Sequence, residues 1–354
     1  MTQHAELASA FERFADQQAA GQSPLYETLC RSVARTPELL DLAADTRPGQ
    51  PAPNMLLGAI HHIIRRGARH PLVSYFTGYE KLPEASADAL LTDFCRRNAE
   101  QIRRTIATRS VQTNEVNRCA VLVPAFAALQ QQLDNRPIQV VDVGASAGLN
   151  LLWDRYTYDY GGHRLILPNS DPGTVITCEI KSGRPPLSLN VAQFVPPVGI
   201  EVSPVDLTDP EATEWLVSLT WPEQPTRLRT LNSALALAAR TPPTILAGRA
   251  EDRLAEVVAQ AVPDHHLCLV FSWSIYQIFG SPGGRERLAE MLAELSQQRP
   301  LYEISIGHFG HNIPRVVTAA YDKGASIHSS TVAYCDVYGT WLHWLNNPAE
   351  KPNT

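Results

Sequence analysis

Paired cysteines are missing from this chain. Its six cysteines, at positions 30, 95, 119, 178, 268 and 335, are far apart and form no C-x-x-C pair. A zinc ribbon and a compact disulfide framework are therefore excluded, and reduced, packed thiols are expected. Long apolar runs are missing too: nothing approaches the roughly 18 residues of a membrane span. The opening Met1-Thr2-Gln3-His4-Ala5-Glu6 lacks the basic start and apolar run of a signal peptide. The expectation is a cytoplasmic protein with no membrane partner. Positive charge is not in excess, since 30 Lys and Arg against 36 Asp and Glu give a net charge of -6. Nothing draws such a molecule toward a phosphate backbone, so nucleic acid is not an expected partner.

What is present is the composition of a globular protein, 44% hydrophobic and 19% charged over 354 residues, long enough to bury a substantial core. Up to about residue 135 the pattern is helical. Leu7, Phe11 and Phe14 recur at i, i+4, i+7, and Leu91, Phe94, Asn98, Ile102 and Ile106 trace a mostly apolar stripe. Breaks at Arg47-Pro48-Gly49-Gln50-Pro51 and around His70-Pro71 divide this region into short antiparallel helices. At Ile138-Gln139-Val140-Val141-Asp142-Val143 the pattern changes to a β-branched strand, ending in Gly144 and followed by a helix start through Leu149, Leu151 and Leu152.

Further strand-like runs occur at 198–202, 244–247, 267–271 and 301–306, with helical stretches between several of them. Alternation of this kind implies an α/β domain with a mainly parallel sheet, here residues 136–354, behind a helical N-terminal domain of residues 1–135. A Pro/Gly- and Tyr-rich insertion at about 157–197 reads as β-rich or irregular, and 326–345 as an antiparallel edge hairpin.

The segment Asp142-Val143-Gly144-Ala145-Ser146-Ala147-Gly148-Leu149-Asn150 carries two motifs at once. As D-x-G-x-x-x-G it is a strand and glycine turn whose backbone can approach a nucleotide cofactor, with Gly144 and Gly148 removing Cβ atoms from the path. Methyl transfer from S-adenosylmethionine uses this type of loop. As G-x-S-x-G it is a nucleophile elbow presenting Ser146 to a hydrolase site. The loop follows the first strand, and the residues before it are helical, which favours the cofactor over the hydrolase. The spacing is not G-x-G-x-x-G, so a dinucleotide is disfavoured.

A carboxylate ending the second strand is expected to meet the ribose hydroxyls: Glu201, with Glu179 as competitor. Ala250 and Glu251, after the third strand, are candidates near the adenine, although either Glu251 or Asp252 also suits a helix cap. Ser272, in Phe271-Ser272-Trp273-Ser274, ends the fourth strand beside the expected reactive methyl group. Arg118 is a candidate for the amino-acid carboxylate of the cofactor, or for a helix-surface pair with Glu115.

The stretch from Val140 to Tyr160, with Gly144 to Leu152 and Asp154-Arg155-Tyr156, resembles a bacterial family catalogued as domain of unknown function 2332. The likeness extends to Asn114-Glu115-Val116-Asn117-Arg118, to Val205 through Pro210, to Trp221-Pro222-Glu223-Gln224 and to Gly339-Thr340-Trp341-Leu342. The resemblance implies a class I methyltransferase-like, Rossmann-like fold with a helical N-terminal extension, and it supplies no substrate.

Methyl transfer needs alignment and removal of water more than a base. With no N-P-P-Y or D-P-P-Y string after the fourth strand, a small-molecule acceptor is favoured over a base or glutamine amide. The candidate bases are His308, Tyr156 and Tyr160, with His311 and His163 beside them. No metal is expected. The chief alternative is a catalytically inert nucleotide- or ligand-binding module of the same fold, and less so a Ser146 hydrolase. The N-terminal helices are expected to close the acceptor pocket, and His61-His62 to divide between core and solvent.

Overall fold

Proline opens several of the helices. Pro24, Pro37, Pro210 and Pro225 each open a helix, where the missing N–H has no partner to lose. Ser23 completes one such start, its Oγ accepting the Tyr26 N–H at 3.1 Å. The computed structural model describes residues 3–78, 81–134, 136–280 and 282–346. It divides into two compact units, Met1–Thr113 with Asp209–Arg229, and Asn114–Thr208 with Thr230–Thr354.

The first unit is helical. Phe11, Phe14, Leu91, Phe94, Ile102 and Ile106 all reach its core, as their spacing predicts. The polar member of the stripe, Asn98, is the joint between helices Glu84–Arg97 and Ala99–Thr108, where its side-chain amide donates to the Phe94 carbonyl at 2.8 Å. His61 and His62 do not divide between core and solvent. Both are buried, His61 with Nδ1 at 2.9 Å from the Ser218 carbonyl and His62 edge-on to Trp215. Burial lowers His61 to about 4, so the ring is neutral.

The second unit is mixed α/β. Its strands are β1 Ile138–Val143, β2 Tyr156–Tyr160, β3 His163–Ile166, β4 Asp171–Thr177, β5 Glu179–Ser182, β6 Phe194–Glu201, β7 Ile245–Ala247, β8 His266–Ser272, β9 Leu301–Gly307, β10 Arg315–Asp322, β11 Ala325–Cys335 and β12 Trp341–Trp344. Nine of them form one sheet in the order β5-β12-β11-β10-β9-β8-β1-β6-β7, and β3-β2-β4 form a small second sheet. Strands β7, β6, β1, β8 and β9 are mutually parallel, and β10, β11 and β12 continue antiparallel.

All five parallel strands lie where the apolar runs point, and the hairpin expected over 326–345 is β11 with β12, which is not at the edge because β5 covers β12. The insertion is β-rich and is divided: β2, β3 and β4 build the small sheet, whereas β5 pairs with β12 at the edge of the large one. Two features differ from the sequence reading. The helix Cys119–Gln132 groups with the sheet and Asp209–Arg229 with the helical unit, so the units do not divide at residue 135. The residues after the glycine turn form a 3-10 turn, Leu149–Arg155, instead of an α-helix. Leu149, Leu151, Leu152 and Trp153 are all buried there, which leaves no polar face for an amphipathic crossover helix.

Strand β1 lies between β6 and β8, with the chain running to β6 and β7 on one side and to β8 and β9 on the other. Such a reversal opens a crevice at the carboxyl ends of the strands, the usual ligand position in open α/β sheets. Among the described residues, no helix is long and apolar enough to cross a membrane.

Candidate functional site

The turn leaving β1 is held by its own neighbours. Gly144 and Ala145 both donate to the Ile200 carbonyl, at 2.8 and 3.1 Å, and Gly148 donates to that of Ala145 at 2.7 Å. The Ser146 N–H goes to Glu201 Oε2 at 2.9 Å, and the Leu149 N–H to Asn114 Oδ1 at 3.0 Å. Gly144 and Gly148 have φ of +82° and +74°, where a Cβ is strained. A Cβ on Gly144 would stand 2.5 Å from that of Ser274, and one on Gly148 within 2.9 Å of Pro243 and Ile245. The glycines are therefore required by packing inside the chain. Ala145 is buried beneath the turn, close to Gly199.

Beside this turn is a crevice of about 380 Å³, lined by Gly144, Glu201, Val202, Ala250, Glu251 and Ser274 among others. Four residues singled out in the sequence, Gly144, Glu201, Ala250 and Glu251, meet there from three different strand ends. Glu251 also lies 3.3 Å from Arg249. Glu179, the competitor of Glu201, sits on β5, six strands away from β1, or roughly 29 Å at the usual strand spacing of about 4.8 Å. It cannot reach the turn. Val202 forms an apolar wall of the crevice while 67% exposed.

Asp142 is buried at the end of β1. Burial, and then the negative charge of Glu201, push its carboxyl up to about 7, against the opposing effect of Arg118. Arg118 lies over the Trp273 ring at 5.4 Å and donates to the Val337 carbonyl at 3.1 Å and to Ser272 Oγ at 3.4 Å. The His308 ring meets Trp273 edge-on at 5.0 Å. His308 Nδ1 is 3.1 Å from the His311 carbonyl, which only accepts, so the lone pair of the neutral ring falls on Nε2.

Three buried polar atoms on the turns after β1 and β8 have no hydrogen-bond partner among the described residues: Ser146 Oγ, Trp273 Nε1 and Ser274 Oγ. Such atoms are normally satisfied, and each unmade bond costs roughly 1–3 kcal/mol. Two of these residues, Ser146 at φ +54° and Trp273 at φ +67°, also hold a left-handed backbone. Strain of this kind persists where surrounding structure imposes it, and it is common at ligand sites. Ser146 has the backbone of an elbow, but its Oγ has no base beside it.

Tyr156 and Tyr160 are corrected as candidate bases. Their hydroxyls donate to the Leu149 and Ala120 carbonyls, at 2.7 and 2.8 Å, and burial raises both far above the ordinary phenol value. Tyr156→Phe is expected to cost about 1 kcal/mol in urea denaturation and to leave ligand binding at the crevice unchanged; a binding loss without a stability loss would overturn the structural assignment. Asn150 is likewise turned away, its Oδ1 accepting from the Cys119 thiol at 3.5 Å.

Sequence reasoning missed Val202 as part of this region, whereas it placed Phe271-Ser272-Trp273-Ser274 beside the expected methyl group. Val202 follows Glu201 directly, an apolar residue at a strand end, and that was a usable signal. Nothing local marks the approach of Ser274 to Gly144 across two strands. His311 is exposed, and among the described residues no group of three or more His, Cys, Asp or Glu is placed to hold a metal ion.

A family model described as an uncharacterized protein conserved in bacteria, DUF2332, matches residues 8–344. No curated protein and no solved structure matches the chain.

Proposed function

The chain belongs to this uncharacterized bacterial family, and from its crevice we propose that it is an S-adenosylmethionine-dependent methyltransferase with a small-molecule acceptor. The observation that carries the proposal is the convergence of Gly144, Glu201, Val202, Ala250 and Glu251 on one crevice at the strand reversal. The parallel strands β7, β6, β1, β8 and β9 stand in the order 3-2-1-4-5 of their appearance in the chain, as in the class I methyltransferase-like fold of this reading.

The chemistry of the donor set favours a cationic nucleoside over a phosphorylated one. Phosphate loops offer uncommitted backbone N–H groups, whereas those of Gly144, Ala145, Ser146, Gly148 and Leu149 are bonded within the protein. On the crevice lining stands the carboxylate of Glu201, which repels phosphate and attracts a sulfonium. The unpartnered Ser146 Oγ, Ser274 Oγ and Trp273 Nε1 are the atoms a polar ligand would satisfy.

In this reading Glu201 holds the ribose hydroxyls, Val202 covers one face of the adenine, and Arg118 pairs with the amino-acid carboxylate. Bound there, S-adenosylmethionine supplies a methyl group on an electron-poor sulfur. The residues around it exclude water and align the acceptor, which is most of what this reaction asks of a protein. An acceptor with a transferable proton would give it to Nε2 of His308, whose Nδ1–H is engaged by the His311 carbonyl.

Calorimetric titration of the full chain with S-adenosylhomocysteine tests the reading. Binding is expected, and Val202→Asp should weaken it at least tenfold without lowering the melting temperature, because Val202 is 67% exposed. Absence of both binding heat and a melting shift in the unmodified protein would overturn the cofactor assignment. Binding without turnover on any acceptor would instead favour the inert ligand-binding module.

A further inference from the structure

A second cavity, of about 620 Å³, lies between the start of helix Gly284–Leu295 and the strands β10 and β11. Its walls combine the rings of Tyr276 and Phe309 and the side chain of Val317 with two guanidiniums, Arg285 and Arg315, and the hydroxyls of Ser329, Ser330 and Thr331. The size is that of ordinary small-molecule sites, which pair apolar walls with a few converging polar groups.

The two arginines differ in their electrostatic situation. Arg285 is paired with Glu303, a fully buried carboxylate that also accepts from Ser305 Oγ and, at 2.8 Å, from the Tyr321 hydroxyl. Its charge is compensated within the fold. Arg315 donates to the Phe309 carbonyl at 3.1 Å and to Thr331 Oγ1 at 3.4 Å, both neutral acceptors. Its Nε is buried and has no hydrogen-bond partner among the described residues. Among the described residues, no carboxylate lies within ion-pair distance of it, and burial lowers its pKa against the opposing effects of Tyr334 and Tyr276, with Arg285 adding to the lowering. A half-buried guanidinium without a counter-ion is costly unless something anionic completes it.

Two further features act in the same direction. The helix begins at Gly283 with no side-chain cap, so its first N–H groups and dipole face the cavity region unsatisfied by a side chain. Phe309 carries both guanidiniums against its ring, with centroid distances of 5.7 Å to Arg285 and 6.0 Å to Arg315, which limits the directions in which they can swing. Glu286, also on the lining, is exposed and screened by solvent. The cavity therefore offers about one uncompensated positive charge, with hydroxyl donors on one side and aromatic surface on another.

We propose that this cavity is a binding site for a small molecule carrying a single carboxylate or phosphate group, held by Arg315 with Ser329, Ser330 and Thr331. Guanidinium is suited to both groups, since its parallel N–H bonds match two oxygens of either. The site is separate from the methyl-transfer crevice. The short helix Ile275–Ile278 contributes Gln277 and Ile278 to the crevice and Tyr276 to this cavity, so the two flank one element. The proposal does not depend on the cofactor reading.

The test is nuclear magnetic resonance of the arginine Nε–H groups in the full-length ¹⁵N-labelled chain, titrated separately with benzoate and with inorganic phosphate at constant ionic strength. Arg315→Lys identifies the resonance of interest by its disappearance. That resonance is expected to shift saturably with at least one of the two anions; saturation by benzoate alone assigns a carboxylate, and by phosphate alone a phosphate. Arg315→Gln should weaken the same titration, followed at the amides of Ser329 to Thr331, at least tenfold. If this variant does not fold, the unmodified chain still decides. A resonance that stays fixed with both anions, or drifts without saturation as those of surface arginines do, overturns the proposal.

Discussion

Gly144→Ala is expected to destabilise the protein by roughly 2–5 kcal/mol in urea denaturation, and Gly144→Val to prevent folding. Two independent costs add. A side chain at φ +82° loses about 1–2 kcal/mol to left-handed strain. A Cβ at 2.5 Å from that of Ser274 must displace a buried neighbour in a packed interior, which typically costs a further 1–3 kcal/mol. The second cost can be removed separately. In a Gly144→Ala/Ser274→Gly double variant the clash disappears and only the strain remains, so a double-mutant cycle should show a favourable coupling of about 1–3 kcal/mol. A neutral Gly144→Ala, or zero coupling, would show that the turn relaxes and that the close approach is unimportant. The same reasoning makes Gly144→Val a poor probe of cofactor contact, because lost binding would follow from lost structure.

Asp142→Asn is expected to raise stability above pH 7 and to change its dependence on pH. The carboxyl of Asp142 is pushed up to about 7 from its ordinary 3.8 by burial and by Glu201. Below about pH 4 the group is protonated in folded and unfolded chains alike, and its ionisation has no effect on stability. Between about pH 4 and 7 the unfolded chain releases this proton and the folded chain keeps it, so stability falls as pH rises; above 7 the loss levels off. A shift of this size corresponds to on the order of 4 kcal/mol. Asparagine cannot ionise, so the variant should melt higher than the parent at pH 8, with the difference shrinking toward pH 4. Parallel melting curves for the two proteins across this range would overturn the assignment. A buried carboxylate kept despite such a cost is a common feature of ligand sites, where activity and stability compete.

Much of the fold is legible locally. The run Ile138–Val143 is β-branched and bounded by Gly144, which marks a strand whatever surrounds it. The runs that become β6, β7, β8 and β9 are short and rich in apolar and β-branched residues, which favours strands. β10 was missed because Arg315 to Asp322 lies beside the cluster Gly307 to Pro314, where turn signals obscure the alternation. The 3-10 turn Leu149–Arg155 was read as a helix because leucines at short spacing satisfy both patterns, and only burial on every side separates them.

The sequence by itself determined the five parallel strands, the glycine turn and the carboxylate that ends β6, since each depends on propensity and on residues within a few positions. Only the tertiary structure decided what those residues do. It removed Glu179 by placing it on β5, turned Tyr156, Tyr160 and Asn150 inward, and gave Gly144 a packing partner 130 residues away in Ser274. It also set Arg315 in a cavity without a counter-ion. The physical reason is that burial, desolvation and hydrogen-bond satisfaction are properties of a place in three dimensions, and such places are built from segments whose spacing along the chain carries no trace of their meeting.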